Sequence, residues 1–292
     1  MESFKIAVVA HESPIRSTAK NLDTTISWIR KAEKAGASLV ALPELNITGH
    51  AGHSAMVEVA EPVPDGPSVQ ALIDVAKELD IYISAGIAED DLGIHYNTQF
   101  IVGPEGYLGK QRKVHLSADE YFYFRGGTAL PVIDLPFARV GIIICYDNTL
   151  PEMARCLAVD GAELILAPHA ARFGKWPAEL ADRQKSVQRV KAQWSRVHAC
   201  RAYDNGCYVA VCNTAGRSAT GLKGVEANHG GCCMVFDPNG DTLAQSRTRD
   251  IKPEMILADL DGDRVAARRR QSCFNLQTRK PEVFSALTRP TE

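Results

Sequence analysis

Two packed β-sheets with helices on their outer sides, an α/β architecture, are what the amino-acid sequence predicts. Three observations lead there. Short apolar runs of strand length alternate with amphipathic segments of helical spacing along most of the 292 residues. The same alternation starts again in the second half. No Gly/Ser-rich linker or low-complexity tract interrupts it.

The elements follow in order. Lys5 to Ala10 is a compact apolar run, read as the first strand. Asp23 to Ala35 places Ile26, Ile29 and Ala32 near helical spacing, and Gly36 stops it. Leu39 to Leu42 is a short buried strand that ends at Pro43-Glu44. Ser68 to Leu79 is a second amphipathic helix, with Pro67 well placed at its start. Ile81 to Gly86 and Thr98 to Val102 are strands, and Pro104-Glu105-Gly106 turns the chain into the next segment. In the second half, Val140 to Ile144 is a strand and Pro151 to Val159 a helix. Leu164 to Ala167 is a strand that stops at Pro168. Val187 to Tyr203 is a long helix, and Cys207 to Cys212 a strand. Cys232 to Phe236 and Met255 to Leu260 flank the turn Asp237-Pro238-Asn239-Gly240. Residues 1–292 read as one domain. Within it, 262–292 is polar and weakly periodic, and is read as a C-terminal arm that contacts a neighbouring subunit.

Composition narrows the function classes. Hydrophobic residues at 45% supply a large core. The formal net charge is −2 with both signs interspersed, so no broad positive field exists for nucleic acid. Arg268 to Arg270 is a short basic cluster, read as a solvated or subunit-contacting face. No stretch reaches the length of a membrane span, and no basic, apolar leader opens the chain. The eight cysteines contain no Cys-x-x-Cys pair, which argues against a zinc framework. Several sit in apolar runs as buried free thiols, which suits a reducing compartment and leads us to expect a cytoplasmic protein.

Three segments place a reactive side chain at a strand edge. The first is Leu39-Val40-Ala41-Leu42-Pro43-Glu44. Glu44 reads either as the first loop residue or as a general base in a partly apolar pocket. The second is Gly109-Lys110-Gln111-Arg112-Lys113-Val114-His115-Leu116, followed by Glu120 among Tyr121, Phe122, Tyr123 and Phe124. It is a basic surface loop or, given the aromatics, a walled pocket into which Lys110 or Lys113 points. The third is Val140-Gly141-Ile142-Ile143-Ile144-Cys145-Tyr146-Asp147. Cys145 is a core thiol or a nucleophile on a sharp strand-to-helix turn, with backbone N–H groups nearby to hold an oxyanion. His50 and His53 lack the spacing of helical zinc ligands and read as pocket wall, so no metal site is expected. His169 follows Ala167-Pro168 at another strand end and is a candidate to face substrate.

Taken together, these segments resemble the nitrilase superfamily of carbon–nitrogen hydrolases. The resemblance also takes in Gly161 to Pro168, Arg201 to Asn205, Asn213, the Gly230-Gly231 pair and Asp259-Leu260-Asp261. It implies a four-layer αββα sandwich and a Glu–Lys–Cys triad. By motif, Glu44 takes the base position, Lys113 the lysine and Cys145 the nucleophile, with Glu120 on a second, supporting glutamate. It further implies no cofactor, a small-molecule amide, carbamoyl or nitrile substrate, and a homodimer or larger even-numbered homo-oligomer.

Departures from family patterns direct the substrate reading. Nitrile-cleaving members tend to follow the cysteine with Trp-Glu, whereas Tyr146-Asp147 looks more like the amidase and carbamoylase branches. N-carbamoyl amino-acid hydrolases tend to place arginines three and four residues after the cysteine to clamp a carboxylate. Here those positions are Asn148 and Thr149, unless Arg172 substitutes. Tyr146, Asn148, His169 and Arg172 are the expected substrate contacts. The expected chemistry is hydrolysis of a primary amide or an N-carbamoyl amine through a thioester on Cys145. The alternatives are a nitrilase, a papain-like cysteine enzyme, or a non-catalytic binder of the same fold. Where serine often follows the glycine pair, this chain has Cys232, then Cys233, and the sequence assigns neither a role.

Overall fold

The computed structural model describes residues 1–219, 222 and 225–289. In chain order the strands and helices are β1 Phe4–Ala10, α1 Thr18–Lys34, β2 Leu39–Ala41, α2 Pro67–Leu79, β3 Tyr82–Asp91, β4 Ile94–Gly103 and β5 Gly106–Arg112. Then come β6 Val132–Leu135, β7 Ala138–Ile142, α3 Pro151–Val159, β8 Leu164–His169, β9 Arg172–Phe173 and α4 Leu180–Asn205. The rest are β10 Tyr208–Asn213, β11 Ala215–Ala219, β12 Glu226–Gly230, β13 Cys233–Phe236, β14 Thr242–Gln245, β15 Glu254–Leu260 and α5 Gly262–Arg269.

Two six-stranded sheets form, ordered β15-β1-β2-β3-β4-β5 and β14-β13-β10-β8-β7-β6. Strand alternation decides what each face buries. Ile6, Val8 and Ala10 of β1 meet Leu164 and Leu166 of β8 in the core between the sheets. Ala7 and Val9 face the other way, against Ile29 and Ala32 of α1 and Leu72 and Ile73 of α2. Ile165 and Ala167 of β8 likewise turn outward onto Met153 and Leu157 of α3 and Trp194 and Ala202 of α4. The layers are therefore helix, sheet, sheet, helix, the αββα sandwich that the resemblance implies.

Several local readings change. Met255 to Leu260 does not pair across the Asp237–Gly240 turn; β14 does, and β15 crosses to the first sheet to pair antiparallel with β1. The 109–116 segment is not a loop at its start, because β5 runs to Arg112 on β4. A small third sheet, β11-β12-β9, rims one end of the sandwich. Its β12 is Glu-Ala-Asn-His-Gly, which has no apolar alternation to announce a strand. The start of the C-terminal arm packs on its own chain: Val265 and Phe274 are buried, and Arg264 pairs with Asp237 at 2.8 Å. Exposed Val283, Phe284 and Leu287 lie farther on, and residues 290–292 of the arm fall outside the described residues. Among the described residues, no helix is long and apolar enough to cross a membrane.

Candidate active site

The site forms where strand ends of both sheets meet. From the first sheet, Glu44 follows β2 and Lys113 follows β5; from the second, Cys145 follows β7 and His169 ends β8. Backbone strain marks the same places. Leu45, Ala118 and Cys145 are non-glycine residues with φ of 49°, 44° and 48°. The left-handed region costs such residues roughly 1–2 kcal/mol each. At Cys145 it makes the sharp turn that leads from β7 into a short 3-10 turn, Cys145–Thr149.

Lys113 joins two carboxylates. Its Nζ donates to Glu44 Oε1 at 2.8 Å and to Glu120 Oε1 and Oε2 at 2.9 and 2.7 Å. All three side chains are essentially fully buried. Burial disfavours the lysine's charge, but Glu44, Cys145 and Glu120 around it raise its pKa above the ordinary lysine value. Burial likewise opposes ionisation of both glutamates, yet each is held below the usual carboxylate range. For Glu44, desolvation is the largest single influence, and the charge and hydrogen bond of Lys113 together with His50 overcome it; for Glu120 the His50 hydrogen bond and Lys113 do.

The two carboxylates differ in how fully they are used. Glu120 Oε2 also accepts Ser117 N–H at 2.9 Å and Ser117 Oγ at 2.7 Å, in a capping box. Its Oε1 also accepts from Asn97 Nδ2 at 3.0 Å and lies 3.4 Å from His50 Nε2. Glu44 has fewer partners: Asn97 Nδ2 at 2.7 Å on Oε1 and the Ala170 N–H at 2.6 Å on Oε2. The Cys145 thiol lies close enough to this cluster to feel the charges of Glu44, Lys113 and Glu120. Burial and the Glu44 charge push that thiol well above the ordinary cysteine range, against the pull of Lys113. The resting arrangement is therefore a neutral thiol facing an ionised carboxylate, beside a locked cation.

Asp147 connects the cysteine turn to the lysine segment. Its buried carboxylate accepts the N–H groups of Val114 at 3.1 Å and His115 at 2.7 Å, and contacts His115 Nδ1 at 2.8 Å. Lys113 and Cys145 are thus cross-braced one or two residues away from their reactive atoms.

The four expected substrate contacts fare differently. Tyr146 is exposed, and its main-chain N–H precedes the first bond of the 3-10 turn, Asp147 N–H to Ile144 C=O. That N–H has no carbonyl partner within the turn. Asn148 is buried and turned inward: its amide donates to Ile143 C=O at 2.9 Å and Cys145 C=O at 3.1 Å, so it holds the turn instead of facing outward. His169 is buried beside Trp194 and His198, with ring centroids 4.9 and 5.3 Å apart. Burial lowers its pKa to about 4, so it is a neutral ring near Glu44. Arg172 donates from one guanidinium nitrogen to both oxygens of Asp119, at 2.8 and 2.9 Å. Lys110, the other lysine considered, turns to Glu89. His53 caps a short turn by accepting the Ala55 N–H. Cys232 and Cys233 are buried free thiols beside β14.

Sequence reasoning did not single out Asn97, Ser117, Asp147 as a brace, or the Ala170 N–H. Ser117-x-x-Glu120 carries a readable capping-box signal. The others carry none, because their roles depend on pairing between distant segments. Glu44, His50 and Glu120 bring potential metal-ligand atoms within 4.8 Å of one another. The Lys113 ammonium already sits against both carboxylates, at the place a cation would take.

The family model described as carbon-nitrogen hydrolase matches residues 5–270. A protein named nitrilase from Pyrococcus abyssi is 33% identical over 260 residues, covering 88% of this chain and 89% of its own. The human omega-amidase NIT2 is 32% identical over 283 residues, covering 93% of each. The crystal structure of a carbon-nitrogen hydrolase from Helicobacter pylori G27 superposes with a TM-score of 0.83 over 99% of each chain, at 21% identity.

Proposed function

The chain belongs to the carbon–nitrogen hydrolase family, and from that premise we propose that it is a cysteine-dependent hydrolase of a small-molecule amide or N-carbamoyl amine. The observation that carries this reading is Lys113 held between the buried Glu44 and Glu120 carboxylates, with Cys145 on a strained turn beside them. Cys145 Sγ attacks the carbonyl carbon as its proton passes to Glu44. The raised thiol pKa and lowered Glu44 pKa make a free thiolate unfavourable at rest, so proton transfer accompanies attack. Lys113 and the Tyr146 N–H receive the developing oxyanion. The C–N bond breaks, Glu44 returns the proton to the leaving nitrogen, and ammonia departs. Water, deprotonated by Glu44, then cleaves the Cys145 thioester and releases the acid. Glu120, with both oxygens occupied, is the supporting carboxylate that fixes Lys113. His169 and Arg172 are the proposed substrate contacts.

Hydrolysis of a small nitrile is the second reading, favoured by the 33% identity to the Pyrococcus abyssi protein of that name. A homodimer or larger even-numbered assembly belongs to the same proposal, supported by the exposed apolar side chains of the C-terminal arm. Ammonia release from matched primary amides, N-carbamoyl amines and nitriles tests the substrate class. Turnover of an amide or carbamoyl member above its matched nitrile supports the first reading; preference for the nitrile replaces it with the second.

A further inference from the structure

Two buried carboxylates sharing one ammonium repel each other, and something neutral must hold them together. Asn97 sits where that is needed. It lies on β4, in register with Ala88 of β3, and its side chain is buried. One atom, Nδ2, reaches Glu44 Oε1 at 2.7 Å and Glu120 Oε1 at 3.0 Å. Lys113 Nζ reaches the same two oxygens from another direction, at 2.8 and 2.9 Å. The Asn97 main chain also takes part, since its C=O accepts the Lys113 N–H at 2.8 Å. The amide orientation is fixed by chemistry: only an NH2 group satisfies two ionised carboxylates, one hydrogen for each. Its Oδ1 is left buried with no hydrogen-bond partner. A leucine of similar shape would leave no orphaned acceptor, so what the asparagine contributes is its two donors.

We infer that Asn97 is a positioning residue that bridges Glu44 and Glu120 over Lys113 and sets the basicity of Glu44 toward Cys145. This rests on the proposed role of Glu44 as base. An amide donor stabilises both carboxylates without adding charge, so Glu44 is ordered yet keeps its affinity for the thiol proton. A second cation at this position would suppress that affinity further. Glu120 is fixed by Ser117 and His50 as well, so loss of Asn97 acts chiefly on Glu44.

The groups facing Glu44 are Lys113 after β5, Glu120 and His50 from the loops, Cys145 after β7 and His169 of β8. Glu44, Glu120, Lys113 and Cys145 interact closely, so a pH limb belongs to the cluster and not to one group. Its direction is still set by Asn97. A carboxylate that loses a donor to its ionised form has a higher pKa, so any step needing ionised Glu44 moves to higher pH.

The test is the pH dependence of Cys145 alkylation by iodoacetamide, read by mass on the peptide containing Cys145. A bond forms from Sγ to the methylene carbon, iodide leaves, and the thiol proton goes to Glu44. No substrate need be known. Wild type, Glu44→Gln, Asn97→Leu and Asn97→Ser are compared, each checked for native circular dichroism. The acid limb is expected to rise by about one pH unit in Asn97→Leu and by less in Asn97→Ser, which keeps one donor. In parallel, kcat for the amide found above should fall roughly 10- to 100-fold with KM little changed. An acid limb unmoved in the folded variants overturns the proposal, and Asn97→Ser alone decides it if Asn97→Leu fails to fold. A wild-type limb that persists in Glu44→Gln shows instead that Glu44 is not the base, and removes the inference along with that assignment.

Discussion

Strand β5 and the residue after it feed two buried ionic clusters of opposite character. Lys110 and Arg112 turn to Glu89, and Lys113 turns to Glu44 and Glu120. At Glu89, one buried carboxylate meets two cations. It accepts from Thr98 Oγ1 at 2.6 Å, Lys110 Nζ at 2.5 Å and Arg112 at 2.5 and 3.0 Å. Both cations are about one-quarter exposed, and Arg112 stacks on Tyr96 at 3.7 Å. At Glu44 the ratio is reversed, two carboxylates to one cation, and water is excluded from all three. Both clusters hold their carboxylates below the usual range, so a shifted pKa does not separate them. What separates them is spare capacity. Glu89 has its acceptor sites filled and no reactive group beside it, whereas Glu44 faces a thiol with a raised pKa on a strained turn.

The largest expected effect that tests this contrast is on catalysis. Cys145→Ala should lower ammonia release by at least ~10⁴-fold, as loss of a nucleophile does, and Glu44→Gln by roughly 10²–10⁴-fold. Glu89→Gln should leave kcat within about threefold, since its carboxylate lacks a nucleophile to serve. A Glu89 variant as inactive as the Glu44 variant would erase the distinction.

Stability should separate the clusters next. Lys113→Met strands two buried carboxylates and should cost about 3–5 kcal/mol in denaturant unfolding. Arg112→Met removes a partly solvated partner and should cost nearer 1 kcal/mol. Equal losses would mean that burial does not set the difference.

Acid should act in two stages. His11 and His169 are held at about 4 and His229 at about 3, each chiefly by burial. The unfolded chain binds these protons near pH ~6.5 and the folded chain does not, so stability should fall as pH drops from there toward 4. Glu44, Glu89 and Glu120 are depressed in the fold, so their contribution is present above about pH 4.3 and is lost below it. Urea midpoints between pH 7 and 3 should show both stages; a flat profile down to pH 4.5 would contradict the first. Smallest of all, Arg172→Ala should change stability by less than about 1 kcal/mol, because its pair with Asp119 is partly solvated. Its effect should appear in KM if it contacts substrate.

Much of this was legible along the chain. The runs ending at Glu44 and Cys145 are apolar strands that stop at a polar or nucleophilic residue, and period and composition mark both. Pro67 and Pro151 fix helix starts through their rings, and both helices begin there. What escaped depends on partners far away in sequence. Asn97 lies 53 residues from Glu44 and 23 from Glu120, and strand pairing alone aims it at them. β15 has the same local pattern whether it pairs with its neighbour or with β1. Asn148 looks like a substrate contact from its place after Cys145, yet a 3-10 turn rotates it onto main-chain carbonyls.

If Glu44 and Cys145 form the proposed reactive pair, an acyl intermediate can be trapped on Cys145. An amide that is turned over would be mixed with wild type and Cys145→Ala, quenched in acid, and digested for peptide mass. Wild type should carry an acyl mass on the Cys145 peptide and release ammonia, and the variant should do neither. Turnover by Cys145→Ala, or an acyl group on exposed Cys156, Cys200 or Cys273 instead, would contradict it.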